Sequence, residues 1–162
     1  MKRKINSGFS LVEILVVITI FAVIGILSTR SVFLTLRGAK KSDSLIRVRE
    51  NVNNAFSVIE RQIRNAEKID CPSTDTTLSY ISLEGVSTSF SCTIGANGYI
   101  ASGSAKLTSD DISITSCSFA CSQATQNVPP IVTISIVAED NTSTSVEKGT
   151  VTTETQITAR NY

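Results

Sequence analysis

The chain has 162 residues, with 15 lysines and arginines, 14 aspartates and glutamates, and no histidine. This length suits one domain with an appendage, and the lack of histidine excludes Ser-His-Asp and Cys-His nucleophile systems and histidine-ligated zinc. The formal net charge of +1 conceals a basic leader of eight residues, a basic stretch over residues 30–68 (nine cations against four anions) and an acidic remainder from residue 70 (three cations against nine anions).

An apolar segment follows the leader. Residues 9–27 read FSLVEILVVITIFAVIGIL and contain one charge. As a helix this segment is ~28 Å long, enough to cross a bilayer, and the three cations before it place the N-terminus in the cytoplasm and the rest of the chain outside. A cleaved secretory signal peptide is the alternative, but its apolar region spans only about 7–15 residues and ends in a small-residue cleavage site, which we do not find here.

The one charge in this segment is Glu13. A carboxylate inside a membrane helix costs about 2.5–3.5 kcal/mol, so it is usually paired or functional. No basic residue lies between Phe9 and Arg30. A partner must therefore come from the leader, another subunit or a newly made N-terminus, unless Glu13 reaches the lipid headgroups alone.

A short basic leader that ends in Gly8, followed by Phe9 and an apolar run with a glutamate at its fifth position, resembles the class III signal of type IV prepilins and type II secretion pseudopilins. The resemblance implies that prepilin peptidase cuts between Gly8 and Phe9 on the cytoplasmic side and methylates the new amine of Phe9. It also implies that Glu13 attracts the N-terminal amine of a neighbouring subunit as a filament grows.

Within that family, the segment RQIRNAEKI is similar to minor pilins and larger pseudopilins of the PulJ/PilW kind. Ala22 and Arg30 stand where major pilins often have glycine and proline, which favours a minor subunit. The implied partners are prepilin peptidase, other pilins through the N-terminal helix, the inner-membrane assembly platform and lipid. The implied location is the inner membrane, followed by a surface or periplasmic filament.

Beyond the membrane segment, apolar residues recur every three or four positions, as on one face of a helix: Leu45, Val48, Val52, Ala55, Ile59, Ile63 and Ala66. No proline interrupts residues 9–70, so we expect one near-continuous helix. The expected organisation is a leader at 1–8, a transmembrane segment at 9–29, an amphipathic stem at 30–70 and a head at 71–162. The basic stem makes nucleic acid a possible partner, but no aromatic interleaving or binding motif supports one.

After residue 70 the apolar pattern changes to period two, which is typical of half-buried strands. The clearest strands are residues 132–138 and 151–160, and others are expected near residues 78–83, 88–94, 99–104 and 112–119. Asn97-Gly98 is a hairpin-turn signal, and Pro129-Pro130 should precede a strand. The expected fold is therefore α+β: a long helix packed on an antiparallel sheet, the pilin lollipop.

All four cysteines lie in the exported region, where oxidation is permitted, so we expect two disulfides. Three pairings are open; we favour Cys71–Cys92 and Cys117–Cys121, because each closes a local segment. A four-cysteine zinc site fits poorly, because paired C-x2-C knuckles are missing. We expect no metal and no cofactor.

Other motifs are weaker indications of a functional site. Asp110-Asp111 lacks a calcium-loop pattern, and Asn141-Thr142-Ser143 matches a glycosylation sequon in a polar turn. Without histidine, G-x-S-x-G or a phosphate loop, we expect no enzyme. The alternatives to a filament subunit are a permanently anchored binding or adhesion module, an extracytoplasmic enzyme and a released secreted protein.

Overall fold

The computed structural model describes residues 10–71, 75–125, 128–143 and 146–160. One long helix precedes all the strands, so the expected α+β class is confirmed. The elements are α1 (Leu11–Arg64), β1 (Lys68–Ile69), β2 (Thr77–Ile81), β3 (Ser87–Thr93), β4 (Tyr99–Ser102), β5 (Ala105–Lys106), β6 (Ile112–Ser122), β7 (Ile131–Asp140) and β8 (Thr150–Thr158). The chain divides into two compact units, Met1–Ala39 and Lys40–Tyr162.

In the second unit, one face of α1 forms the spine of the hydrophobic core. The buried helical positions follow the predicted spacing and are at most 1% exposed: Val48, Val52, Ala55, Ile59 and Ile63. Ala66, just beyond the helix, is also buried, and Leu45 packs against the core from its margin. The helical periodicity of this stretch is confirmed, and Phe56 adds an aromatic ring that the spacing did not single out.

The helix ends at Arg64, six residues before the expected boundary at 70. The Ala66 N–H donates to the Ile63 carbonyl at 3.2 Å, which tightens the last turn. The Glu67 N–H then donates to the Ile81 carbonyl at 2.9 Å, and β1 pairs with β2 from Lys68 onward. Pairing with a strand thus ends a helix that no proline stops.

The strands form two antiparallel sheets, one ordered β1-β2-β3-β4-β5 and the other β6-β7-β8. The six strands expected from the alternation are present, with ends within a few residues of the predicted ones. On β7 the alternation is complete, since Val132, Ile134, Ile136 and Ala138 are buried and face the core. β7 begins directly after Pro130, as Pro129-Pro130 predicts.

Asn97-Gly98 lies in the connection between β3 and β4, as predicted, but the connection is a five-residue loop at 94–98 and not a two-residue turn. Gly95 supplies the positive φ, at 137°. Gly98 is required for a different reason, because a Cβ there would collide with the carbonyl oxygens of Ile114 and Thr93. Its N–H donates to the Gly95 carbonyl at 2.9 Å.

The favoured disulfide pairing is wrong. The structure pairs Cys71 with Cys121 and Cys92 with Cys117, with Cα–Cα distances of 5.5 and 6.2 Å. Cys117 and Cys121 both lie on β6, where four residues of extended chain separate their Cα atoms by ~13 Å, beyond the reach of a disulfide. The observed bridges join β3 to β6 and the segment after β1 to the end of β6.

Candidate functional site: the exposed apolar helix and its carboxylate

In the first unit, the helix exposes its large apolar side chains. Leu11, Phe21 and Leu34 are 82%, 71% and 70% exposed. The most apolar 18-residue window of the helix has a mean hydropathy of 2.8, and none of it is buried. A helix of this length and composition can cross a membrane. Exposure of its apolar side chains to water is unfavourable, and a bilayer would remove them from water.

Three threonine hydroxyls in this part of the helix donate to backbone carbonyls of the preceding turn. Thr19 donates to the Val16 carbonyl at 2.8 Å, and Thr29 donates to the Gly25 carbonyl at 2.8 Å. Thr35 makes the same kind of bond to Ser31 at 3.0 Å. These donors therefore do not need water, which suits a lipid environment.

Glu13 lies in the first turn of α1 and its side chain is exposed. A carboxylate is favoured there by the positive end of the helix dipole. Among the residues that the structure describes, no cation lies within ion-pair distance of it, and the next basic residue along the helix, Arg30, is ~26 Å further on. Gly8 and Phe9 lie outside the described residues. The site therefore presents an exposed acceptor for a cation in an otherwise apolar stretch.

A second polar cluster, in the second unit, was not predicted. Asp140 ends β7 and is 1% exposed. Arg47 donates to one of its oxygens at 2.8 Å, and Ser143 donates to the same oxygen at 2.9 Å. The other oxygen accepts bonds from the N–H and hydroxyl of Thr142, both at 2.7 Å. Asp140 thus ties the helix to the turn after β7.

Burial by itself would raise the pKa of Asp140. Hydrogen bonds from Ser44, Thr142 and Ser143 outweigh that cost and hold the pKa of this carboxyl below its ordinary value. The Ser44 hydroxyl also accepts a bond from the Gly149 N–H at 2.8 Å. A Cβ on Gly149 would press into the Ser44 and Leu45 backbone, so the start of β8 and the helix are in close contact.

Two sequence signals mark this cluster in retrospect. Asp140 occupies the inward phase of β7, in step with Ile136 and Ala138, where a charge needs a partner. Ser44 lies four residues before Val48, on the apolar face of the helix. In both elements, a polar residue at a position where the pattern predicts a buried apolar side chain is what indicates the cluster.

The remaining candidate motifs have local roles. Lys106 donates to Asp110 at 2.9 Å, and the Asp111 carbonyl accepts the Asn141 N–H at 2.8 Å. The hydroxyls of Thr142 and Ser143 in the sequon are engaged by Asp140. Within the described ranges, no group of three or more His, Cys, Asp or Glu side chains is placed to hold a metal ion.

A family model described as a prokaryotic N-terminal methylation motif matches residues 3–29. No curated protein and no solved structure gives a significant match. The chain therefore carries a class III signal like that of type IV prepilins. The proteins that share this motif are structural rather than catalytic. Together with the long apolar helix, this signal fits anchoring in a membrane.

Proposed function

We propose that the chain is the precursor of a minor pilin or pseudopilin, a structural subunit of a type IV pilus-like or type II secretion filament. One observation carries the proposal: the methylation motif at residues 3–29 coincides with a fully exposed apolar helix that has a carboxylate in its first turn. The rest of the chain then forms the exported head.

Processing comes first in this proposal. Lys2, Arg3 and Lys4 keep the N-terminus on the cytoplasmic side, where prepilin peptidase cleaves between Gly8 and Phe9 and methylates the Phe9 amine. The mature chain keeps the whole apolar helix, so cleavage does not release it from the membrane. It also creates a new cation, the Phe9 amine, four residues before Glu13.

Assembly uses that cation. The amine of one subunit pairs with Glu13 of its neighbour, inside a bundle of apolar helices. An ion pair in a low-dielectric setting is strong when both partners are present, and an unpaired charge there is costly. Glu13 therefore favours the one axial position at which both charges are matched. Ala22 and Arg30, which replace residues frequent in major pilins, support a minor role.

The test is the intact mass, with N-terminal sequencing, of the chain extracted from membranes of cells that contain prepilin peptidase. The expected species begins at methylated Phe9 and carries two disulfides. Gly8→Val should abolish cleavage, because the residue before the cut must be small. Phe9→Leu, the matched control, should still be cleaved.

A chain that still begins at Met1 in these cells would contradict the proposal. The protein would then be a permanently anchored module, and Glu13 would need a different partner.

A further inference from the structure

The two sheets expose their edges unequally. In the described part of the chain, the five-stranded sheet ends on β1 and β5, which have two residues each, and such short edges offer little backbone for pairing. The outer edge of β6 is partly covered, because Ile114 exchanges backbone hydrogen bonds with Gly95 and Gly98. β8 differs, since it has nine residues and lies at the end of its sheet.

Two hydrogen bonds show which backbone groups of β8 face its partner. The Asp140 N–H donates to the Gly149 carbonyl at 3.0 Å, and the Ala159 N–H donates to the Pro130 carbonyl at 3.3 Å. The β7–β8 register is unbroken between these bonds, and hydrogen-bonded pairs alternate along an antiparallel ladder. The residues whose N–H and C=O groups point away from β7 are therefore Thr150, Thr152, Glu154, Gln156 and Thr158.

The side chains of these five residues are all exposed. Among the residues that the structure describes, no backbone hydrogen bond joins them to another element. The strand also lacks proline, lysine and any bulge, the usual protections of an edge. Its one charge, Glu154, lies at the centre.

We propose that the outer edge of β8 is a docking site for an extended strand of a different protein, with a lysine or arginine opposite Glu154. An added strand would form hydrogen bonds with the outward N–H and C=O groups, as in other cases of β-strand addition. A cation on that strand would pair with Glu154, the one charge on the edge. A second copy of β8 in the centred antiparallel register would place Glu154 against Glu154, which is unfavourable. This proposal does not depend on the proposed function, because docking requires neither processing nor filament assembly.

The test uses the full chain in detergent micelles and two synthetic probes. Each probe is an end-blocked peptide of alternating threonine and valine, with either lysine or glutamate at its centre. The lysine peptide should slow hydrogen exchange at the amides of Thr152, Glu154 and Gln156. The glutamate peptide should bind about fivefold more weakly, because it places like charges across the pair.

Two variants make the result decisive. Glu154→Lys, at an exposed position, should reverse the preference between the peptides. Gln156→Pro removes an outward N–H and should abolish protection, whereas Gln156→Ala, which keeps that N–H, should not. Unchanged exchange at the β6 and β7 amides shows in each case that the sheet is folded.

Three results would overturn the proposal. The first is the absence of peptide-dependent protection at these amides, and the second is equal affinity for the two peptides. The third is protection of the same amides that rises with protein concentration when no peptide is present, because the occupant would then be a second copy of this chain.

Discussion

At the scale of single residues, the proposed assembly mechanism depends on Glu13, the one charge in the apolar segment. Glu13→Ala should insert normally into the membrane, because removing a carboxylate lowers the cost of insertion. Incorporation into filaments should fall about tenfold or more, because the neighbour's amine loses its partner. The measurement is the ratio of subunit in sheared filaments to subunit in the membrane.

The matched control for this prediction is Glu50→Ala. Glu50 is an exposed carboxylate further along the same helix, so its loss should leave the ratio unchanged. If Glu13→Ala were incorporated into filaments as efficiently as the unmodified chain, Glu13 would have no role in assembly.

Asp140 makes the stability of the head depend on pH. Its pKa is lower in the folded chain than in the unfolded chain, so the folded state is stabilised at neutral pH. This stabilisation is lost as the pH falls below about 4 towards the folded-state pKa. We expect the thermal unfolding temperature of the β-sheet, followed by circular dichroism in detergent, to decrease over that range.

Asp140→Asn should remove much of this pH dependence. At neutral pH it should lower the free energy of unfolding by about 2 kcal/mol, because the buried amide would carry no charge to pair with Arg47 and could not accept the same set of hydrogen bonds as the carboxylate. Asp110→Asn is the control, since Asp110 is an exposed carboxylate whose side chain also pairs with a cation. An Asp140→Asn variant with the acid sensitivity of the unmodified chain would show that other carboxyls dominate.

At the scale of elements, the disulfides connect parts of the head that are distant in sequence, with separations of 50 residues for Cys71–Cys121 and 25 for Cys92–Cys117. Proteolysis without reduction should release peptides joined in this pairing. Replacing both Cys92 and Cys117 with serine should cost about 3.5 kcal/mol on loop entropy alone. Linked peptides that join Cys71 to Cys92 would show that the structure has the wrong pairing.

The elements also show what a sequence can reveal. β7 and the buried face of α1 were predictable, because a periodic pattern is local information. β1 and β5 were not, because two residues are too short to show a period. The predicted disulfide pairing was wrong for a related reason. The true pairing depends on which strands are neighbours in space, and a preference for short loops contains no information about strand neighbours.

The same distinction separates the two polar sites. Glu13 was predictable because one charge in an apolar run is visible without any structure. The Asp140 cluster was not, because the sequence separation between Arg47 and Asp140 is 93 residues. Only the packing of α1 against the end of β7 brings those two residues together.

At the scale of the whole molecule, the two units place different demands on their surroundings. The unit Lys40–Tyr162 has its own buried core and two disulfides. In the first unit, residues 11–27 expose a continuous apolar surface, which needs lipid or other helices to cover it. Stability of the head and retention in the membrane should therefore respond to different substitutions.

This separation leads to a test by cell fractionation. After the proposed processing at Gly8, the chain should remain in the membrane pellet through an alkaline carbonate wash, because it keeps residues 9–27, which are long and apolar enough to cross a bilayer. Val17→Lys together with Ile20→Lys should release much of the chain, since each charge costs about 2.5–3.5 kcal/mol near the helix centre. Ile59→Ala should instead lower the unfolding temperature of the head, at a cost of about 2–5 kcal/mol, and leave the fractionation unchanged. Recovery of the unmodified chain in the soluble fraction, without residues 9–27, would identify a cleaved secretory signal instead of a membrane-stored subunit.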